Sequence, residues 1–260
     1  MDSVNKTLYI PLYGKAYVSR RNLFIRDEMA EKIWQQEGFS LTGKAKSKWL
    51  AYNMGMRSAV FDRWLKEKQQ QMPGAAVLHL GCGMDNRIGR VGTEKGNWYD
   101  VDFPEVIAER KRYYSETEVY QMLASDLRKP EWLDQISADS AIVVMEGVSM
   151  YLQMPELMAL FCRLNGKFAR VAVLMDTYTT FAVKATKYKN PVNTVGVTEV
   201  FGFDDPRMPE EDTGFRFARE WDLTPEWLIA ELPKGEQRFF KTLFAGKTAK
   251  KIYRLYEYEK

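Results

Sequence analysis

Ala75-Ala76-Val77-Leu78-His79-Leu80-Gly81-Cys82-Gly83-Met84-Asp85-Asn86-Arg87 is the stretch on which the fold is decided. An apolar run stops abruptly at Gly81-Cys82-Gly83 and polar residues follow, the pattern of a buried strand turning tightly into a helix. Bare backbone at Gly81 and Gly83 lets a ligand press close, although an ordinary strand–helix turn has the same look. The third glycine of a dinucleotide loop would fall at position 86, which is Asn86. Asp85 adds negative charge where a pyrophosphate would meet the helix N-terminus. The loop therefore suits an adenosyl ligand without phosphates better than a nicotinamide dinucleotide, which argues against a dehydrogenase.

Downstream, Asn97-Trp98-Tyr99-Asp100-Val101-Asp102-Phe103-Pro104 reads as a short strand ending in acids, with a proline opening a helix over Glu105 to Tyr114. Asp102 lies 21 positions beyond Gly81, near the spacing of about 20 at which a second-strand acid takes a ribose diol. Asp102 is favoured for that role over Asp100, whose plainer reading is a solvated strand end or a helix cap.

Strand-like runs alternate with helical ones along most of the chain. The strands are expected over Ala75 to Leu80, Trp98 to Val101, Val119 to Leu123, Ser140 to Met145 and Ala169 to Met175, with helical patterns between them such as Pro155 to Leu164. This rhythm predicts an α/β fold, a doubly wound and mostly parallel sheet whose ligands bind beyond the strands' carboxyl ends. Residues 1–72 read as an N-terminal helical cap, with Trp49, Met56, Val60, Phe61, Trp64 and Leu65 at helical spacing and Pro73-Gly74 as the stop. Residues 73–260 form the ligand-binding domain, interrupted by an insertion after the fifth strand at about 176–205, either a lid or a surface excursion. The chain resumes with a strand at Phe215 to Trp221, helices near Pro225 to Leu232 and Glu236 to Leu243, and an alternating strand, Lys251 to Tyr258, expected antiparallel at the sheet edge.

The 260 residues are 45% hydrophobic, enough for one large core, and 38 basic against 35 acidic side chains give a formal net charge of +3. That near balance argues against nucleic acid as a partner, and the cluster Lys247, Lys250 and Lys251 reads as a solvated edge. Cys82, Cys162 and a single histidine leave little for disulfides or a metal site, and neither is expected. No signal peptide or spanning run is read, so a cytoplasmic location and no membrane partner are expected. Oligomeric state is not legible.

The ordered pieces Leu80-Gly81-Cys82-Gly83-Met84-Asp85 with Arg87 and Arg90, Tyr99-Asp100-Val101-Asp102-Phe103-Pro104, Ser125-Asp126-Leu127-Arg128 and Met145-Glu146-Gly147-Val148-Ser149-Met150-Tyr151-Leu152 carry a resemblance, joined by Leu23-Phe24-Ile25-Arg26-Asp27-Glu28-Met29-Ala30. Together they resemble the leucine carboxyl methyltransferase family and its bacterial branch of tetracenomycin-type polyketide O-methyltransferases. The resemblance implies a class I, Rossmann-like fold that uses S-adenosyl-L-methionine. It places Gly81 against the methionine part of that cofactor, Asp102 on its ribose, and Asp126 and Leu127 at its adenine. Glu146 would contact the cofactor after the fourth strand, Arg57 would grip the methionine carboxylate, and Lys15 matches a basic residue near the chain start. His79 stands where the family often has Asn, and Asp100 where Glu is more usual.

Read physically, each of these residues has a plainer alternative. Asp126 could cap a helix, Glu146 could pair with an Arg or Lys instead of the cofactor's ammonium, and Arg57 could snorkel past apolar neighbours. His79 reads as a satisfied core residue more than a base. Tyr151, Met150 and Met154 would shape an apolar substrate wall or pack in the core.

The expected reaction is direct methyl transfer to an oxygen. A carboxylate, with pKa about 4, needs no base, which agrees with the lack of a Ser-His-Asp, Cys-His or metal constellation; no catalytic side chain is assigned. A hydroxyl acceptor would need one, with His79 or a tyrosine as candidates. The expected partner is a small acidic molecule, which Lys184, Lys187 and Lys189 could attract. A protein C-terminal carboxylate, or a non-catalytic sensor of the adenosyl ligand, are the alternatives.

Overall fold

The computed structural model describes residues 8–36, 43–186 and 199–260. The elements with their bounds are α1 (Tyr9–Ser19), α2 (Glu28–Gln36), α3 (Lys48–Gln71), β1 (Ala76–Leu80), α4 (Arg87–Val91), β2 (Trp98–Asp102), α5 (Pro104–Arg110), β3 (Tyr120–Ala124) and β4 (Ser140–Met145). They continue with α6 (Met154–Lys167), β5 (Arg170–Tyr178), α7 (Thr180–Thr186), β6 (Arg216–Trp221), α8 (Glu226–Ile229), α9 (Lys234–Phe244), α10 (Lys247–Lys250) and β7 (Tyr253–Glu259).

The seven strands form one sheet in the order β3-β2-β1-β4-β5-β7-β6. The first five are parallel, and β7 is antiparallel to both β5 and β6. The connection direction reverses between β1 and β4, so a crevice opens there beyond the strand ends. β1 and β4 are buried on both faces because helices cover both, which explains why they are apolar apart from His79 and Ser140. On one face Val77, Ile142, Val144 and Leu174 meet Met56, Val60 and Phe61 of α3 in one core. On the other, Leu78, Val143, Met145 and Val173 meet Leu157, Leu160 and Phe161 of α6.

Local chemistry sets the element ends. Ser47 caps α3 by accepting from the Trp49 backbone N–H at 3.3 Å. At its other end Gly74, with φ of +83°, turns the chain into β1. Glu156 in the first turn of α6 accepts from the Gln153 backbone N–H at 2.8 Å.

Two expectations are corrected. The alternating C-terminal strand lies inside the sheet, and the edge strand is β6, whose residues are half-buried or exposed. The polar member of that alternation, Glu257, is buried, paired with Lys68 at 2.6 Å and Arg219 at 2.8 Å. Secondly, β5 continues through Asp176 to Tyr178, because β7 pairs with it as far as Tyr178–Tyr253. The excursion therefore begins after Tyr178, and its residues 187–198, including Lys187 and Lys189, lie outside the described residues. Among the described residues no helix is long and apolar enough to cross a membrane.

Candidate active site

A cavity of about 630 Å³ opens over the carboxyl ends of β1, β2 and β4. Lys15, Arg57, Gly81, Asp102, Asp126, Leu127 and Glu146, drawn from six separate parts of the sequence, all line it. The glycine turn forms its floor. Gly81 and Gly83 have φ of +62° and +51°, the left-handed region that disfavours side chains. A Cβ on Gly81 would lie 2.3 Å from Val148 Cγ2, so the chain itself already demands a bare residue there. From below, Arg110 Nη1 donates to the Gly83 carbonyl at 2.9 Å and the Tyr114 hydroxyl to the Met84 carbonyl at 3.0 Å.

The two acids of β2 divide sharply. Asp100 accepts from Trp98 Nε1 at 2.8 Å, the Tyr120 hydroxyl at 2.6 Å and Arg110, and it contacts His79 Nδ1 at 3.1 Å. Arg110 and these donors outweigh burial and hold its carboxyl down at about 2. Asp100 is thus a buried anchor beneath the turn, and the ribose role weighed for it has no geometry to support it. Asp102 lines the cavity and accepts backbone N–H bonds from Gly83 and Phe103, each 2.8 Å. Among the described residues it has no ion-pair partner, and burial pushes its carboxyl up to about 6. Each of its oxygens keeps a lone pair for a further donor.

His79 is buried against Asp100 and edge-on to Trp98, with ring centroids 6.3 Å apart. Burial lowers its pKa despite Asp100. A neutral imidazole already held by Asp100 is a core residue and a poor proton acceptor.

A buried charge cluster forms the opposite wall. Arg57 is 3% exposed, so it does not snorkel to solvent. Its Nε and Nη2 each lie 3.2 Å from Glu146 Oε1, and its Nη1 donates to Asp176 at 2.8 Å. Lys15 Nζ lies 3.0 Å from Asp85 and 3.6 Å from Glu146. Arg87 bridges Asp62 at 2.7 Å, Asp85 at 2.9 Å and Glu146, and Arg90 joins Asp62 at 2.6 Å, Asp85 at 2.7 Å and Asp27 at 2.5 Å. Of the two partners weighed for Glu146, the basic side chains are present. Beyond the cost of burial, Lys15, Arg87 and Arg57 draw its carboxyl down to about 2. Burial leaves Asp176 at about 6 although Arg57 touches it. Four cations here meet five carboxylates among the described residues, and of these Lys15, Arg57, Asp85 and Glu146 line the cavity.

Asp62, Asp176 and Tyr253 were not legible as members of this site. They lie far apart in sequence, and nothing in their immediate neighbours marks them. Arg87 and Arg90 carried a faint signal, two arginines three apart beside Asp85 directly after a buried strand.

At the adenine end the resemblance is only partly matched by free donor and acceptor groups. Asp126 is held by its neighbour Arg128, whose Nε and Nη2 reach its two oxygens at 2.9 Å and 2.6 Å. Arg128 thereby lowers the Asp126 pKa. Leu127 is buried and presents an apolar surface to the cavity.

The outer part of the cavity is apolar, lined by Leu12, Leu50, Met54, Phe181, Leu243, Phe244 and Ile252 together with Tyr178 and Tyr253. Met150 and Tyr151 also line it, whereas Met154 packs against the core under α6. Lys184 is exposed on α7 and does not line the cavity, although Phe181, Ala182 and Ala185 of the same helix do.

A family model described as leucine carboxyl methyltransferase matches residues 10–165. The tetracenomycin polyketide synthesis O-methyltransferase TcmP of Streptomyces glaucescens is 27% identical over 235 residues, covering 89% of this chain and 87% of its own. The S-adenosyl-L-methionine-dependent methyltransferase dpfgK of Gibberella zeae is 24% identical over 234 residues, covering 81% and 78%. Among solved structures, the magnesium protoporphyrin IX methyltransferase ChlM of Synechocystis PCC 6803, with bound SAH, superposes with a TM-score of 0.53 at 14% identity over 90% of this chain and 93% of that one. A chain from Thermobifida fusca YX gives 0.61 at 11% identity over 95% and 94%. At these identities the structural likenesses establish the fold.

Proposed function

The chain belongs to the leucine carboxyl methyltransferase family and is an S-adenosylmethionine-dependent O-methyltransferase, and from that premise we propose that it methylates a carboxylate on a small, largely apolar molecule. The observation that carries this reading is the composition of the outer cavity. Its described lining is aliphatic and aromatic, with tyrosine, asparagine and threonine as its polar members. The histidine, lysine and carboxylates that also line the cavity are already engaged, His79 by Asp100, Lys15 by Asp85 and Glu146, Asp126 by Arg128 and Asp102 by the backbone of the turn, so an acceptor that arrives already ionised fits best.

When bound, the cofactor supplies an electrophilic sulfonium methyl, which a carboxylate oxygen accepts as the carbon–sulfur bond breaks, with no proton released. The residues present suit that group. Asp102, a buried carboxylate without an ion-pair partner among the described residues, would accept from the ribose hydroxyls. Glu146 would face the ammonium, while Arg57 and Lys15 would face the carboxylate of the methionine end. Arg57 has one Nη2 hydrogen uncommitted among the described residues. Gly81 would allow close approach at the floor, and Leu127 would pack on the adenine beside Asp126. The apolar outer wall excludes water from the acceptor and strips its carboxylate of hydration, which raises its reactivity. Alignment and exclusion of water then account for the protein's contribution. Neither nucleic acid nor a membrane has a part in this reading.

The test is transfer from methyl-labelled S-adenosylmethionine to a panel of aryl and alkyl acids and matched phenols. A methyl ester releases labelled methanol in mild alkali, and an aryl methyl ether does not. Ester product is expected; transfer confined to phenols overturns the carboxylate reading.

A further inference from the structure

We propose that Tyr253 is the hydrogen-bond donor that orients the acceptor's carboxylate where the polar and apolar parts of the cavity meet, an inference that rests on the carboxylate reading above. Tyr253 opens β7 and pairs across the ladder with Tyr178, the last residue of β5. Their rings meet edge-on, with centroids 4.7 Å apart at 74°, and both residues line the cavity. The Tyr253 phenol oxygen accepts from Arg57 Nη1 at 3.3 Å. Arg57 is itself fixed by Glu146 and Asp176. Tyr253 thus touches the charged wall through its oxygen, while the preceding residue, Ile252, belongs to the apolar lining.

The direction of that hydrogen bond matters. Because the oxygen receives a proton from Arg57, its own O–H remains to donate, and among the described residues nothing accepts it. Burial, with Tyr178 and Asp176 adding to it, holds the phenol well above its ordinary pKa. It therefore stays a donor and does not serve as a base.

A neutral donor suits this task better than a cation. An ion pair would bind a carboxylate more strongly and hold back the electrons that must attack. One phenol proton can hold one carboxylate oxygen and leave the other free. A phenol acceptor has a single oxygen, which would have to serve the donor and the methyl group together. Tyr253 in this position thus discriminates between acceptor classes, as well as aligning the one it takes.

Tyr253→Phe removes one oxygen and keeps the ring packed on Tyr178. The kcat/KM for the acid that the panel selects is expected to fall at least tenfold, with the Kd for S-adenosylhomocysteine within twofold of the parent. An unchanged kcat/KM overturns the proposal. So does an equal loss of S-adenosylhomocysteine affinity, which would mean that Tyr253 acts through Arg57 on the cofactor. Should the variant fail to fold, 3-fluorotyrosine at position 253 keeps the oxygen and changes its acidity, and there an unchanged kcat/KM overturns the proposal. Failure of the underlying reading looks different, because the unaltered chain would then methylate phenols and leave acids alone.

Discussion

Asp102 stands two residues beyond Asp100 on the same face of β2, yet Asp100 is held by Arg110, Tyr120 and Trp98 while Asp102 has backbone donors and, among the described residues, no ion-pair partner. One strand thereby supplies a structural anchor and, one step further out, an acceptor facing the cavity.

Asp102→Ala is expected to raise the Kd for S-adenosylhomocysteine about tenfold or more, since a hydrogen bond to a charged group contributes roughly 1.5–3 kcal/mol. Isothermal titration calorimetry reads this directly. Unchanged affinity would remove Asp102 from the ligand's contacts.

The same carboxylate makes affinity depend on pH. Burial raises Asp102 to about 6, so below that pH the ligand-free protein carries it largely protonated. Diol hydroxyls donate to the ionised form, so binding expels the proton, and affinity rises with pH up to about 6 and levels off above it. Affinity for S-adenosylhomocysteine is expected to fall by up to about tenfold per unit between pH 6 and 5, and Asp102→Asn should flatten the slope. A slope that persists in Asp102→Asn would assign the titration to Asp176, which burial also raises to about 6.

Arg87 is fully buried and bridges Asp62, Asp85 and Glu146. Arg87→Met fills similar volume but takes one cation from Asp62, Asp85 and Glu146, which keep Arg90, Lys15 and Arg57, and a broken buried pair typically costs about 3–5 kcal/mol. Urea unfolding of the variant should show a loss of that size, and an unchanged midpoint would show that the cluster does not hold the fold together.

Asp126→Ala should change S-adenosylhomocysteine affinity by less than about threefold, because Arg128 already occupies the carboxylate and partly exposed pairs contribute about 0–1 kcal/mol. A loss as large as that of Asp102→Ala would mean that Asp126 leaves Arg128 to meet the ligand.

The sequence disclosed what local chemistry writes into neighbouring residues. Ser140–Met145 is a strand as its apolar run requires, and the step from Leu80 into Gly81-Cys82-Gly83 is a left-handed turn as its glycines require. The spacing from Gly81 pointed to Asp102, which lines the cavity. It could not say why Asp100 is excluded, because that depends on Arg110 and Tyr120 reaching back from the next helix and strand. The edge assignment of the last strand failed for a similar reason. Alternation shows which residues share a face, but Glu257 sits on a polar position that Lys68 and Arg219 bury. Arg57, Asp176 and Tyr253 come together only when α3, β5 and β7 do, so no window of sequence contains the site they make.

Insertion of β7 between β5 and β6 carries a cost in time. During synthesis β5 is complete 75 residues before Tyr253 emerges to cover it. Until then a hydrophobic strand shows a naked flank to other nascent chains, the situation in which chaperones are most needed. Arg57 waits longer still, 196 residues, for the Tyr253 phenol, so the charged wall of the cavity is finished only when the last strand has been made.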